Sequence, residues 1–189
     1  MRIIAGQDKG RKLKSLDRKD VRPTSDRTKE ALFNILGPDV VNIRFLDLYA
    51  GFGGIGIEAL SRGAQEAVFI DQDRSNTEII EENLELTDNL EVSRILVDDV
   101  LTALSRLRGE FELIFMDPPY QREDLYPKTL TKLAEYNLLH PTGIVIVEHH
   151  EKADIEWPAE YNIIKERNYG NAALTLLKGA SDNAKNSGL

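Results

Sequence analysis

The residues with the clearest chemical potential are Asp117, Pro118, Pro119 and Tyr120, which follow an apolar run at residues 113–116. The run predicts a buried strand, and because two prolines cannot continue it, the chain must turn there. The turn presents two hydrogen-bond acceptors, the Asp117 carboxylate and the Pro118 carbonyl, to an exocyclic amino group. The Tyr120 ring can stack on the base that carries this group, which is how base-modifying enzymes hold an extruded base. The motif therefore indicates chemistry on a base, although a strand that merely ends at a Pro-Pro turn has the same pattern.

A glycine-rich loop earlier in the chain has the spacing of a nucleotide site. Gly51, Gly53 and Gly56 lie between a strand pattern and a helical pattern and match G-x-G-x-x-G. Glycine lets the backbone approach a ligand closely, and the start of a helix offers free N–H groups. Asp47 lies in the strand before the loop, where its charge would repel a pyrophosphate but could contact an ammonium group. The charge of Asp47 thus argues against a nicotinamide dinucleotide, and the sequence Asp-Leu-Tyr-Ala-Gly-Phe-Gly-Gly at residues 47–54 resembles the loop that holds S-adenosylmethionine in methyltransferases.

Acidic residues stand at the ends of four successive strand patterns. Asp47 and Asp117 are the first and the last. Between them, Asp71 lies where an acid can bind both ribose hydroxyls, and Asp99 is positioned to reach an adenine amino group. Any one of these acids alone has the position of a helix N-cap, but four in register indicate a cofactor site. The residues predicted to contact this cofactor are Asp47, Tyr49, Ala50, Gly51, Gly53, Gly56, Asp71, Gln72, Asp99, Val100 and Asp117.

The elements that carry these residues alternate between strand and helix patterns from residue 44 onward. The alternation predicts an α/β fold with a mostly parallel sheet covered by helices on both faces. Two further strand patterns are separated by only four residues, too few for a crossover helix, and they predict an antiparallel pair at one edge. The predicted strands are 45–49, 67–71, 92–97, 113–117, 143–148, 161–167 and 172–177. The predicted helices are 25–36, 74–86, 100–107, 124–138 and one that follows the glycine loop at residues 51–56 and ends at residue 62.

Composition limits the class of protein. The 189 residues are 41% apolar and 30% charged, as expected for one ordinary soluble domain. There is no cysteine, which excludes disulfides and thiolate metal sites. Residues 1–14 lack the apolar core of a signal peptide, and no apolar run is long enough to span a membrane, so we expect a cytoplasmic protein. His149 and His150 are adjacent on a predicted strand and must point to opposite faces, so we expect no metal.

The charge distribution is uneven. Residues 1–22 contain eight Lys/Arg and three Asp, a net charge of +5, whereas the rest of the chain has a net charge of −13. A basic arm on an acidic body is the asymmetry expected when one end meets a phosphate backbone, although a solvated tail would have the same composition. Short apolar pieces around Gly6 and Gly10 predict a small hairpin with outward cations. The residues predicted to bind RNA are Arg2, Lys9, Arg11, Lys12, Lys14, Arg22 and Thr24.

The chain is therefore expected to have three parts. Residues 1–22 form the basic arm, and residues 23–180 form the α/β domain, with Ser25 as the N-cap of its first helix. Residues 181–189 are polar and are expected to be a disordered tail.

Together these motifs resemble the bacterial 16S rRNA (guanine-N2)-methyltransferases that modify guanine 966. Asp-Pro-Pro-Tyr alone is shared with adenine-N6 and other amino methyltransferases, whereas the arm with Arg-Pro-Thr at residues 22–24 is specific to this family. The resemblance is carried by residues 2–6, 9–11, 22–24, 30–36, 46–51, 58–64, 117–120 and 169–170.

The resemblance implies a Rossmann-like, seven-stranded class I fold that uses S-adenosylmethionine, and a monomer that acts on the small ribosomal subunit or its assembly intermediate. One departure is Phe52, which stands where the family usually has Ser or Thr, so its ring is expected to point out of the cofactor site. Two alternatives stay open: another amino methyltransferase acting on adenine in RNA or DNA, and a non-catalytic RNA-binding protein on the same fold.

Overall fold

A computed structural model of the chain describes residues 1–16 and 26–180. The predicted RNA contacts Arg22 and Thr24, the N-cap Ser25 and the tail 181–189 lie outside the described residues.

Within residues 1–16 and 26–180, seven strands form one sheet in the order β3-β2-β1-β4-β5-β7-β6, which confirms the predicted fold class. Strands β1 to β5 run parallel, and β7 is antiparallel to both β5 and β6. β1 and β4 are neighbours although two strands separate them in the chain, and this reversal opens a crevice at their carboxyl ends. The strands are β1 Arg44–Leu48, β2 Glu66–Asp71, β3 Ser93–Val97, β4 Phe111–Met116, β5 Leu139–His150, β6 Tyr161–Tyr169 and β7 Ala172–Gly179.

In the described part of the chain, five α-helices cover the sheet, and short 3₁₀ turns follow the first, third and fourth of them. Side chains from α1, α2 and α3 pack with apolar residues of the N-terminal segment on one face of the sheet, and side chains from α4 and α5 pack on the other face. None of these helices is long and apolar enough to cross a membrane. The helices are α1 Asp26–Leu36, α2 Gly54–Ser61, α3 Arg74–Leu86, α4 Val100–Ala103 and α5 Leu125–Glu135.

Many element boundaries differ from those predicted by one or two residues, and larger differences occur in α4, α5 and β5. α5 ends at Glu135 rather than 138 because Asn137 adopts a left-handed backbone with φ 50°. The helix predicted over 100–107 is α-helical for four residues and then tightens into a 3₁₀ turn, Leu104–Arg106. β5 begins at Leu139, four residues early, because a bulge in its pairing with β4 lets polar residues enter the strand.

Candidate active site

The four predicted acids lie at the same edge of the sheet. Asp47 is in β1, Asp71 is the last residue of β2, Asp99 follows β3 and Asp117 directly follows β4. These strands are neighbours in the order β3-β2-β1-β4, so the structure brings together what the strand pattern predicted. The edge is the carboxyl end of the parallel strands, where open α/β sheets bind ligands.

The glycine loop has a backbone that few side chains would allow. Tyr49, Gly51 and Gly53 all have positive φ angles, of 59°, 53° and 76°. Gly56 is in close contact with the sheet, because a Cβ at this position would lie 2.3 Å from Phe69 Cε1 and 3.0 Å from Asp47 Oδ2. The third glycine of the motif therefore lets α2 pack directly against β1 and β2.

Asp47 supports the loop from behind. Its side chain is 1% exposed, and Oδ2 accepts the Gly56 N–H at 2.8 Å. Burial raises the pKa of Asp47 to about 8, the Gly56 hydrogen bond lowers it in part, and the charge of Asp71 raises it further. A cationic ligand at this edge would stabilise the carboxylate form of Asp47 and so lower its pKa.

Asp71 connects the end of β2 to the glycine loop and to α3. Oδ2 accepts the Gly51 N–H at 2.8 Å, and Oδ1 accepts the Asp73 N–H at 2.8 Å and the Asn76 amide at 3.2 Å. Two donors use the capacity of Oδ1, so a ribose hydroxyl must bind at the remaining site on Oδ2. The neighbouring Gln72 is exposed. The ribose contact stays a prediction, whereas the bracing of the loop by Asp71 and Asn76 was missed from sequence.

Asp99 is the N-cap of α4. Its Oδ1 accepts the Thr102 N–H at 3.1 Å, and the side chain is exposed at the end of the sheet. Asp99 therefore does act as an N-cap. The cap uses Oδ1, so Oδ2 is left for the predicted adenine contact. The adjacent Asp98 pairs with Arg106, and Val100 is buried in the core that α4 and α5 cover.

The Asp-Pro-Pro-Tyr turn forms the other wall of the crevice. Asp117 and Tyr120 are half-buried, Pro118 is buried and Pro119 is exposed. The Tyr120 ring meets the half-buried His150 ring edge to face, with centroids 6.0 Å apart and an interplanar angle of 81°. This pair offers an aromatic surface beside the Asp117 carboxylate, and the contribution of His150 was not predicted from sequence.

The surroundings of Asp117 raise the pKa of its carboxyl group. Burial raises its pKa, and the carboxyl groups of Glu148 and Asp47 raise it further. Tyr126 is fully buried, its pKa is raised by burial and then by Asp117, and its hydroxyl has no partner among the described residues. His149 points to the face opposite His150 and is bonded to Thr175 Oγ1 at 2.9 Å.

No metal-binding group of three or more His, Asp or Glu side chains occurs within 1–16 and 26–180.

The N-terminal segment, residues 1–16, is docked on the domain. Ile3 and Leu13 are buried in the core beside α1 and α2. The segment forms a hairpin with a single isolated bridge between Arg2 and Lys12, closed by bonds such as Ile3 N–H to Arg11 O at 3.0 Å. The predicted hairpin is therefore confirmed, but it lacks regular strands.

A buried polar cluster on α2 holds this segment. Glu58, which is fully buried, accepts the Ile4 N–H at 2.8 Å and the Ala5 N–H at 3.0 Å. Ser61 donates to the Ala5 carbonyl at 2.8 Å, and a Cβ on Gly6 would lie 1.8 Å from the Ser61 carbonyl oxygen. The motif at residues 58–64 therefore forms the surface on which the arm motif at residues 2–6 docks. This pairing was not predicted from sequence.

The predicted RNA contacts within this segment lie on its surface. Lys9 and Lys12 are exposed and have no ion-pair partner among the described residues. Arg11 is exposed 3.5 Å from Asp8, and Lys14 is exposed 3.0 Å from Glu82. Arg2 is also exposed. The cations thus point outward, as predicted, while the backbone of the segment faces the core.

Comparison with known proteins agrees with this geometry. Residues 1–178 match the family described as conserved hypothetical protein 95. The chain is similar to the Bacillus subtilis protein YlbH, with 37% identity over 94% of this chain and 98% of that one. It is 34% identical to ribosomal RNA small subunit methyltransferase D of Escherichia coli, covering 93% and 88% of the two chains. The solved structure of the Escherichia coli protein yhhF superposes with a TM-score of 0.85 at 33% identity, covering 96% and 98%.

These matches span nearly the whole chain, and the resemblance inferred from the motifs is confirmed at the level of the family. The protein belongs to the family described as conserved hypothetical protein 95 and is a relative of the ribosomal RNA small subunit methyltransferases D.

Proposed function

We propose that this protein transfers a methyl group from S-adenosylmethionine to the exocyclic N2 amino group of guanine 966 in 16S rRNA, acting as a cytoplasmic monomer on the small ribosomal subunit or its assembly intermediate. The observation that carries this proposal is the position of Asp117 and its Pro-Pro-Tyr turn beside the glycine loop, at the crevice between β1 and β4. The fold and the named relatives support S-adenosylmethionine-dependent rRNA methylation.

The residues at the sheet edge fit a cationic cofactor. Asp47 and Asp117 both have raised pKa values, so the edge favours a ligand that brings positive charge, as the sulfonium and ammonium groups of S-adenosylmethionine do. The loop around Gly51 and Gly53 would hold its methionine part, and Asp71 and Asp99 would hold its ribose and adenine. When bound, the cofactor supplies an electrophilic methyl group on sulfur.

The turn at Asp117 supplies the acceptors for the amino group. The guanine N2 lone pair is delocalised into the ring, so this nitrogen is a weak nucleophile. The Asp117 carboxylate and the Pro118 carbonyl accept its two N–H groups, favour its pyramidal form and stabilise the positive charge that develops on it. Methyl transfer would form the N–C bond and break the S–C bond of the bound cofactor, and Asp117 or solvent would take the proton that the nitrogen loses. Stacking on Tyr120 holds the extruded base in line for this displacement.

The charge state of the site predicts proton release on cofactor binding. A cation beside Asp47 stabilises its carboxylate and lowers its pKa from about 8, so binding below pH 8 releases a proton and affinity rises as pH increases from 6 to 8. Calorimetry in buffers of different ionisation enthalpy should show this release, and Asp47→Asn should reduce it by about one proton at pH 7. Equal proton release by the wild type and the variant would refute this role of Asp47.

Residues 1–22 are proposed to contact the RNA backbone through their cations, so RNA affinity should fall steeply with salt. Each phosphate contact contributes about 0.7–0.9 to the slope of log affinity against log salt. Replacing both Lys9 and Lys12 with alanine should therefore lower the slope by about 1.5. The control is Lys178→Ala, an exposed lysine on β7 in the other half of the sheet. A slope that is the same in the double variant and the control would exclude the segment as the RNA contact.

A comparison of acceptors tests the proposed function. The protein and labelled S-adenosylmethionine are incubated in four separate reactions, each with one acceptor. The acceptors are small-subunit particles, naked 16S rRNA, large-subunit particles and duplex DNA. Transfer to small-subunit RNA, free or assembled, is the expected result. Transfer only to DNA would move the substrate to that of another amino methyltransferase, and RNA binding without transfer to any acceptor would identify a non-catalytic binding protein.

A further inference from the structure

Asn83 connects two parts of the molecule that are far apart in sequence. It lies on α3 with no exposed surface. Its Oδ1 accepts the Lys14 N–H at 2.7 Å, and its Nδ2 donates to the Lys14 carbonyl at 3.1 Å and to the Phe52 carbonyl at 3.2 Å. One side-chain amide thus holds the end of the N-terminal segment and the middle of the glycine loop at the same time.

Both partners belong to proposed binding elements. Phe52 lies between Gly51 and Gly53, and its side chain is 3% exposed, so it does not project from the loop. Lys14 presents its ammonium group to solvent beside Glu82 while its backbone is fixed by Asn83. The loop is also covered by Met1, because a Cβ on Gly54 would lie 2.4 Å from the Met1 sulfur. The segment therefore backs the loop at two points.

We propose that Asn83 is a positioning residue that couples the N-terminal segment to the glycine loop, so that RNA bound by the segment and S-adenosylmethionine bound by the loop strengthen each other's binding. The inference rests on the proposed function, because it takes the segment as the RNA contact and the loop as the cofactor contact.

The physical basis is the cost of separating these groups. If the segment detaches at Lys14, the buried amide of Asn83 loses two of its three hydrogen bonds. The side chain is then less firmly positioned to donate to the Phe52 carbonyl. RNA phosphate on the exposed cations opposes such opening, and a cofactor seated on the loop opposes it from the other side. Two ligands that stabilise the same closed arrangement must show positive and reciprocal coupling.

The test compares the affinity for S-adenosylhomocysteine, the stable product that the cofactor becomes after methyl transfer, with and without saturating 16S rRNA. The wild type should bind it about 5-fold or more tightly with RNA present, within the usual range of coupling. Asn83→Ala should bring that ratio near 1 while RNA still binds with its normal salt dependence. Asn83→Asp, which keeps the acceptor and the volume but loses both donated bonds, should do the same if the alanine variant folds poorly.

Thr87→Val is the matched control. Thr87 is buried one turn further along, and its hydroxyl bonds only the carbonyls of Asn83 and Leu84, at 3.0 and 3.3 Å. This variant should keep the wild-type ratio. A purely structural role for Asn83 would lower the melting temperature and leave the ratio unchanged, which would overturn the inference.

Two further outcomes separate this inference from the function on which it rests. A wild-type ratio of 1, with RNA binding and methyl transfer intact, overturns the coupling alone. A wild type that neither binds RNA nor transfers methyl groups overturns the proposed function and the coupling together.

Discussion

Replacing Asp117 with asparagine is expected to lower kcat by about 10²–10³-fold, the usual cost of removing one preorganised group that stabilises transition-state charge. Asparagine keeps the shape of the side chain at the end of β4 but offers only a neutral carbonyl to the guanine amino group. The measurement is single-turnover methyl transfer at saturating cofactor, with thermal unfolding to show that the variant is folded. Asp98→Asn is the control, since Asp98 follows β3, which β2 and β1 separate from β4, and its carboxylate pairs with Arg106.

The pH dependence gives the same prediction a second readout. The pKa of Asp117 is raised by burial, by Glu148 and by Asp47, so its acceptor form is lost as pH falls through that raised value. Wild-type turnover should therefore decline at low pH, and the Asp117→Asn variant should lack this part of the profile. Full turnover by a folded Asp117→Asn protein would disprove the mechanism.

The second large effect is expected at Glu58. Its carboxylate is fully buried, pairs with Lys29 at 3.3 Å and Arg62 at 2.8 Å, and accepts two N–H groups of the N-terminal segment. Lys29 is itself only 1% exposed. Glu58→Gln removes the negative charge from the buried pair with this ammonium group, and breaking a buried pair in this way costs about 3–5 kcal/mol of unfolding free energy. Urea denaturation measures the loss.

Glu78→Gln is the control for this change. Glu78 also pairs with an arginine four residues away, Arg74 at 3.2 Å, but its side chain is 62% exposed. Exposed pairs of this kind contribute about 0.3–0.5 kcal/mol. The loss of unfolding free energy should therefore be several-fold larger for Glu58→Gln than for Glu78→Gln. Similar losses for both variants would show that burial of Glu58 does not hold the segment to α2.

The sheet and the catalytic turn could be predicted because their signals are local. Apolar runs bounded by Gly and Pro mark the strands, and parallel strands place residues such as Asp71 and Asp117 at one edge. Element ends were less predictable. Asn137 ends α5 by taking a left-handed backbone, which its residue type permits but does not require.

The supporting contacts of the site could not be predicted, because they join residues distant in sequence. Glu58 bonds a backbone N–H that lies 54 residues earlier, and Asn83 bonds one that lies 69 residues earlier. Nothing in the periodicity distinguishes these side chains from ordinary surface residues of an amphipathic helix. One signal was available for Glu58, since a charged residue within the apolar stretch of α2 needs a buried partner.

The most direct test of the central claim is the identity of the methylated nucleoside. Small-subunit particles from cells that lack this gene are incubated with the protein and methyl-labelled S-adenosylmethionine, and the 16S rRNA is digested for mass spectrometry. We expect label in N2-methylguanosine at a single position, guanine 966. Label in a methylated adenosine, or no label from a protein that binds the cofactor, would contradict it.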